Sequence, residues 1–487
     1  MSDVAKQGKG KSGLSRGVLK VMGLFSGMQI FNILCSIIKT KLVAMWLQAE
    51  GVGLFGMYNT TIETISTFTN MGLRQSSVRD ISINKNDSSR LAFIVAVVRR
   101  WSLVAGLLGA IVISALAPIL AESIFGDWTH CWGFVALSAS MMLNAMLMGE
   151  QSILQGTGRL KALAKGSFWG TLTGLVASVP MFYYMGEDSV VWSIIVYSVF
   201  VLGFTLLYRH KGDRRIALSW GETYREGKGF VRLGICMSIA SFITNIAHLA
   251  FMTYLNRTVS TEEVGLFQAG YTLVIRYAGL IFAAVGMEFF PRLSANNHSA
   301  HRVNLFVSHE ITLLLLVVTP MILLFLLCRN LIVDVLYTRE FYAIIPFISW
   351  AIMCNIFKAV SYCMAFSIIA KGDGKYFIFT EGVDAVVGLT LNIVLYQCMG
   401  LTGIGVAYVL WFLIYCLIVG VVYFGRYGFR LSAEAYRMIG ISILVSAGAL
   451  AMMELLPMWV NIVVLPIVST CFLPPLKRMY YRNKKSK

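Results

Sequence analysis

The chain reads as a series of long apolar runs separated by short polar segments. Crossing a bilayer takes about 20 mostly apolar residues, and fourteen runs meet that length. They cover residues 18–47, 53–78, 98–120, 129–154, 162–186, 189–209, 230–256, 264–290, 304–328, 342–370, 376–399, 402–425, 434–455 and 457–476. The second and eighth are the most polar, and each supports the other because they correspond in an internal repeat. The pattern predicts an all-α polytopic membrane protein of fourteen transmembrane helices.

The repeat is visible in short matches. Val52–Phe55 and Val264–Phe267 are the same tetrapeptide, 212 residues apart. Gly17–Lys20 falls on Gly229–Arg232 at the same shift, and Ile153–Arg159 falls on Ile369–Lys375 at a shift of 216. The expected organisation is a cytoplasmic tail (1–16), a first lobe of six spans (17–209), a cytoplasmic linker (210–228) and a second lobe of six spans (229–425). Two further spans (426–476) and a basic cytoplasmic tail (477–487) complete it. Both copies have the same orientation, so the repeat is parallel, with its pseudo-twofold axis along the membrane normal and a substrate site expected between the lobes.

Charge orients the spans. Lys6, Lys9, Lys11 and Arg16, then Arg79, Lys85 and Arg90, then Arg159, Lys161 and Lys165 lie in the N-terminal tail and alternate loops, and the series continues to the basic C-terminus. The other loops hold only Arg257, Arg329 and Arg339. Excess Lys and Arg marks the cytoplasmic side, which places both termini there and requires an even number of spans. Segments 85–100 and 296–308 are expected to lie partly along that surface, with Arg99 and Arg100 at the lipid headgroups.

Composition agrees. Of 487 residues, 57% are hydrophobic and 13% charged, more apolar surface than a soluble fold needs. A net charge of +17 would suggest nucleic acid in a soluble chain; with the basic residues confined to loops and tails, no nucleic-acid partner is expected. The nine cysteines lie in or beside apolar runs without metal-ligand spacing and read as small core residues. The N-terminus has no Ala-x-Ala cleavage site and reads as a tail, not a signal peptide.

Ionisable residues inside a span are costly and mark candidate sites. On helical spacing, Asn32, Ser36 and Lys39 share a face of the first span, and Asn59, Glu63, Ser66, Asn70 and Arg74 share one in the second. Asn245 and His248 line up in the seventh, Gln268, Thr272 and Arg276 in the eighth, Asn355, Lys358 and Tyr362 in the tenth, and Glu381, Asp384 and Asn392 in the eleventh. Six such stripes could surround a wet cavity. Asn, Ser and Thr also serve as glue between membrane helices, the blander reading for any one of them. A mid-span Arg276 or Lys358 has no such role. Lys39 could snorkel toward the interface, and Arg74 could contact lipid phosphate. Glu63 and Arg276 correspond at a shift of 213 and are expected to pair across the lobes. Glu381 and Asp384, one turn apart, suit a proton- or cation-coupling site, or salt bridges to Lys358 or Lys375. Gly166, Gly170 and Gly174 form a ridge for close helix packing. No catalytic triad or HExxH is present, so no catalytic residue and no metal site is expected.

Lys39–Ala44 running into Glu50–Phe55, Gly72-Leu73 with Val78-Arg79, Glu263–Gln268, Pro291–Ser294, and Leu336-Tyr337 before Glu340-Phe341 carry a resemblance. The chain resembles the polysaccharide-transport branch of the multidrug/oligosaccharidyl-lipid/polysaccharide (MOP) exporter superfamily, specifically Wzx-type O-antigen flippases, over nearly its whole length. The resemblance implies a MATE-like fold with two six-helix lobes around a cavity that opens alternately. It implies a protein of the bacterial inner membrane that is not an enzyme and needs no cofactor, with H+ or Na+ as a possible coupling ion. The implied substrate is an undecaprenyl-pyrophosphate-linked oligosaccharide moved from the cytoplasmic to the periplasmic leaflet. Membrane lipids, a polysaccharide polymerase and chain-length proteins are the implied partners. Cationic cavity residues are typical, and Lys39, Arg276 and Lys358, with Arg74, match; Tyr271 and Tyr362 could stack on sugars. A drug/cation antiporter and a lipid II flippase are the alternatives within this class. A membrane glycosyltransferase or polymerase would need a sizeable extramembrane region, which is absent here, and a scaffold would not need mid-span charges.

Overall fold

The structure is a computed structural model that describes residues 3–70, 72–85, 87–209, 219–296 and 299–476. The tail read at 477–487, and residues 210–218 of the expected linker, lie outside the described residues. Those described form helices and turns, with no strand among them. In lipid this is the economical solution, because a helix satisfies every backbone polar group within its own segment.

The helices are α1 (Asp3–Asn70), α2 (Leu73–Ile83), α3 (Ser88–Ile124), α4 (Cys131–Gly156), α5 (Leu160–Met185), α6 (Ser189–Leu207) and α7 (Trp220–Thr258). They continue with α8 (Thr261–Tyr271), α9 (Tyr277–Ala295), α10 (Ala300–Leu336), α11 (Ile345–Ala351) and α12 (Cys354–Ala370). The last are α13 (Gly374–Gly420), α14 (Ala433–Leu455) and α15 (Met458–Thr470). The chain forms two compact units, Met1–Asn245 and Ile246–Lys487, divided within α7.

The repeat is legible in the backbone. α3 and α10 begin and end 212 residues apart, and their N-terminal backbone amides are capped by equivalent side chains, Asp87 and Ser299. Further on the register is 214: α5 and α13 start at Leu160 and Gly374, preceded by the left-handed glycines Gly158 and Gly372. Gly186 and Gly400, also 214 apart, are left-handed too, with φ 58° and 61°. The shift of 216 expected for this segment is therefore corrected: the matching Gly-x-Gly strings align two residues away from the turn that each copy makes. The copies differ most at α4. It is one helix, whereas its counterpart is a 3-10 turn over Arg339–Ile344 followed by α11 and α12, bent by 49°.

Ten of the described helices are long and apolar enough to cross a membrane, or eleven if that bent pair is one span. The difference from fourteen lies in three continuous runs, Ile30–Asn70, Leu160–Leu207 and Gly374–Arg426, each with one backbone break, at Gln48, Gly186 and Gly400. All three breaks fall at an expected boundary between spans. Two other expectations are corrected. The second span does not run unbroken through 53–78: α1 ends at Asn70, and Gly72, at φ 73°, opens the separate helix α2. Residues 88–100 do not form a surface segment of their own but continue into α3.

Arg99 and Arg100 face protein. Arg99 makes a two-point ion pair with the buried Glu150 of α4, at 2.6 and 3.2 Å. Arg100 donates to Thr223 Oγ1 at 3.3 Å and stacks on Trp220, while the Trp101 indole donates to the Thr223 carbonyl at 2.7 Å. The start of α7 is thus clamped to α3. The glycine ridge of α5 packs on α6: a Cβ at Gly166, Gly170 or Gly174 would meet Thr205, Val201 or Tyr197 at 3.1, 2.6 or 2.9 Å.

Candidate functional site

In the first unit the break at Gln48 folds α1 back so that Phe55 lies beside Lys39. The Lys39 ammonium is 4.4 Å from the Phe55 ring centroid and 4.7 Å from that of Tyr197 on α6. A desolvated cation over a ring gains on the order of 2 kcal/mol, so two rings hold this charge without a carboxylate. Lys39 lines a cavity of about 240 Å³ together with Asn59, Asn144, Thr171, Tyr197 and Ser198, and no acidic side chain lines it among the described residues. Thr171 donates to Asn32 Oδ1 at 3.2 Å, and Asn59 spends its amide on the Phe55 carbonyl at 2.7 Å, leaving its carbonyl oxygen for the cavity. The structure therefore brings Lys39 and Asn59 together, with Asn32 joined to them through Thr171.

The rest of the second-span stripe does not join them. Glu63 is exposed, and Arg74 stands on α2 beyond the break at Gly72, so it is not on the same continuous helix as Asn59 and Glu63. Asn245 donates to Thr67 Oγ1 at 3.2 Å.

In the second unit Lys358 is also caged by rings, 5.2 Å from Phe282 on α9 and 5.6 Å from Phe412 on α13. Tyr362, one turn on, donates its hydroxyl to the Phe282 carbonyl at 2.8 Å, with its ring packed against Phe282 and Phe366. The hydroxyl is committed to the protein, which leaves Tyr362 as a wall of the cage.

The eighth span contains a π-type segment, Thr272–Arg276, between α8 and α9. Such wide turns are frequent at functional sites, and this one ends on the exposed Arg276, whose guanidinium lies 6.0 Å from the Tyr271 ring. The His248 ring packs against Tyr271 at a tilt, with centroids 4.2 Å apart. His248 Nε2 and Gln268 Oε1 are buried without a hydrogen-bond partner among the described residues; such orphans cost about 1–3 kcal/mol each. Asn355 is 0% exposed, and its amide donates to the Val274 carbonyl inside the π-type segment at 3.3 Å. That bond holds the irregular turn.

Glu381 and Asp384 lie one turn apart on α13, and neutral donors from the later half of that helix hold them. The Trp411 indole donates to Asp384 at 2.6 Å, and the Tyr415 hydroxyl donates to Glu381.

Sequence reasoning overlooked Asn144, Thr171, Tyr197 and the cage rings Phe282 and Phe412. A lone Asn midway along the apolar α4 was the available signal for Asn144; the rings carry none, because aromatic residues are common throughout the spans.

Helices in two repeated units, each with a lysine embedded at membrane depth, define a polytopic membrane protein with the fold of MOP-superfamily transporters. The chain is similar to the solved "Lipid II flippase MurJ, inward closed conformation", with TM-score 0.70 and 12% identity, over 94% of this chain and 99% of that one. It is also similar to an inward-facing multidrug resistance MATE family transporter of the MOP superfamily, with TM-score 0.60 and 12% identity, over 87% of this chain and 95% of that one. The chain belongs to the polysaccharide biosynthesis protein family, whose model matches residues 42–346. A relative in Escherichia coli (strain K12), "Lipid III flippase", is 20% identical over 77% of this chain and 90% of its own. A second, from Shigella flexneri, has the same name, identity and coverage.

Proposed function

We propose that the protein flips an undecaprenyl-pyrophosphate-linked oligosaccharide, an O-antigen or similar repeat unit, from the cytoplasmic to the periplasmic leaflet by alternating access. The observation that carries this reading is the Lys39 cavity. A lysine at membrane depth, held by Phe55 and Tyr197 with polar side chains around it and no acid lining the space among the described residues, is suited to an anionic, hydroxyl-rich ligand. A drug/cation antiporter would favour an acidic cavity. The family match and the flippase names of the two relatives and of one structural neighbour support the reading. The orphaned polar atoms of His248 and Gln268 are suited to sugar hydroxyls. Glu381 and Asp384 are our candidates for coupling to H+ or Na+.

The test is transport by purified protein in liposomes carrying a fluorescent lipid-linked oligosaccharide, read by a quencher confined to one side. Protein-dependent protection of the label from the quencher, reduced at least tenfold by Lys39→Met, is the expected result. Equal movement with and without protein, across lipid-linked oligosaccharides of several sugar compositions, would overturn the proposal. Dependence of the rate on a proton or sodium gradient, abolished by Asp384→Asn, tests the coupling role.

A further inference from the structure

A second cavity in the first unit faces a different ligand. It is a groove of about 510 Å³ between the start of the first span and α5. Phe31, Phe168 and Trp169 form an aromatic wall, with Phe31 and Phe168 in ring contact at 4.2 Å, and Gly27, Met28 and Ala164 complete an apolar trough. At its rim stand Lys161 and Lys165, one helical turn apart on α5 and both exposed. No acidic side chain lines the groove, and neither lysine is paired with a carboxylate among the described residues. The volume lies within the range of about 300–1,000 Å³ common to small-molecule sites. The lysines belong to the loop series with excess basic charge, where a membrane protein meets the headgroups of one leaflet.

We propose that this groove is a binding site for an anionic glycerophospholipid of the leaflet on the basic-loop side. One acyl chain lies along Phe31, Phe168 and Trp169, and the headgroup phosphate sits between Lys161 and Lys165. An apolar trough alone would accept any lipid tail; the two unneutralised lysines at one end select the headgroup. The proposal concerns a bound lipid and holds whether or not the chain transports an oligosaccharide.

The test uses the full chain in nanodiscs containing phosphatidylcholine or phosphatidylglycerol with brominated acyl chains. Trp169 is read as the difference in quenching between the wild type and Trp169→Phe. A basic side chain near an anionic surface contributes about a fivefold preference, so two give a preference for phosphatidylglycerol on the order of 25-fold. Lys161→Gln/Lys165→Gln should abolish it, each single change should remove about half on a logarithmic scale, and Arg79→Gln elsewhere on the same side should leave it intact. Equal quenching of Trp169 by both lipids, an unchanged preference in the double variant, or an equal loss in Arg79→Gln would overturn the site. So would stronger displacement of brominated phosphatidylglycerol by undecaprenyl diphosphate than by unlabelled phosphatidylglycerol at the same mole fraction.

Discussion

Gly170 tests the helix contact on which the Lys39 cavity rests. A Cβ built at Gly170 lies 2.6 Å from the Val201 Cα of α6, and the clash is with backbone, which cannot rotate away. Carbon atoms prefer separations of about 3.5–4.0 Å, so Gly170→Ala must push α5 and α6 apart by roughly 1 Å. Overpacking of this kind costs about 1–3 kcal/mol. Gly203 on α6 is the matched control, because a Cβ there would meet nothing within 4 Å. Both substitutions make the same change in helix propensity, so the difference between them isolates the packing cost. For a unit of this size 1 kcal/mol shifts the midpoint by about 2–4 °C. Gly170→Ala should therefore unfold about 2–12 °C below Gly203→Ala in a thermal scan of the purified protein in detergent. Tyr197, whose backbone and ring border Gly174, is carried on the same face of α6 and contributes one ring of the Lys39 cage. Transport should fall in Gly170→Ala and not in Gly203→Ala. Equal midpoints for the two variants would refute the ridge contact.

The Arg99–Glu150 pair should behave as a unit: Arg99→Ala strands a carboxylate whose side chain is 7% exposed and costs about 3 kcal/mol, while Arg99→Met/Glu150→Met recovers most of the loss. Additive effects in a thermal-unfolding double-mutant cycle would contradict this. His130, at the loop before α4, shares a 2.9 Å hydrogen bond with the Tyr58 hydroxyl through Nδ1 and stacks on Phe125. Desolvation holds its pKa below the ordinary 6.5, against an opposing pull from Asp127 and Asp188. The unfolded chain therefore binds this proton first, and stability declines as pH falls through 6.5 until the folded-state value is reached; thermal midpoints against pH should show that decline in the wild type and a flatter profile in His130→Gln. Lys39→Arg should retain part of the surface-polysaccharide restoration in a flippase-deficient strain, Lys39→Met none at equal membrane abundance, and full restoration by Lys39→Met would remove the lysine from the site.

What could be read from the sequence depended on whether a feature was local. Gly186 and Gly400 announce their breaks, because glycine adopts positive φ without strain; Gln48, with φ 56°, gives no such signal, and only the boundary between apolar runs located it. The offset of 216 followed a string of matching letters, whereas the backbone register follows the left-handed Gly158 and Gly372. Arg99 looked like a lipid contact because Glu150 lies 51 residues away, on a helix where it appeared as an isolated acid. Asn355 could be placed on a helical face by its spacing, but the bond from its amide to the Val274 carbonyl depends on a π-type segment that no periodicity reveals. Lys39 and Lys358 were visible as charges in apolar runs, but their cages come from α6, α9 and α13, and no local window contains them.

Those cages explain why lysine is useful at this depth. A lysine paired with a carboxylate presents no net charge, and recruiting an anionic ligand would first require breaking the pair. Phe55 and Tyr197 stabilise the Lys39 ammonium through their ring faces without setting an opposite charge against it. At an effective dielectric of about 20 a unit charge still attracts an anion 4 Å away by about 4 kcal/mol, more than the roughly 2 kcal/mol from one ring. On the proposed function, an arriving anion would draw the ammonium partly out of its cage, and on release the rings would recapture it. Lys358 is likewise caged by Phe282 and Phe412, but it differs from Lys39 in that the charge of Asp384 on α13, whose carboxylate accepts from the Trp411 indole, also acts on it. Replacing one ring by an acid should tighten the lysine and abolish the attraction. Phe55→Glu should therefore reduce transport more than Phe55→Leu, although both remove the same ring. Equal activity of the two variants at matched abundance would show that the lysine's free charge is not what the site uses.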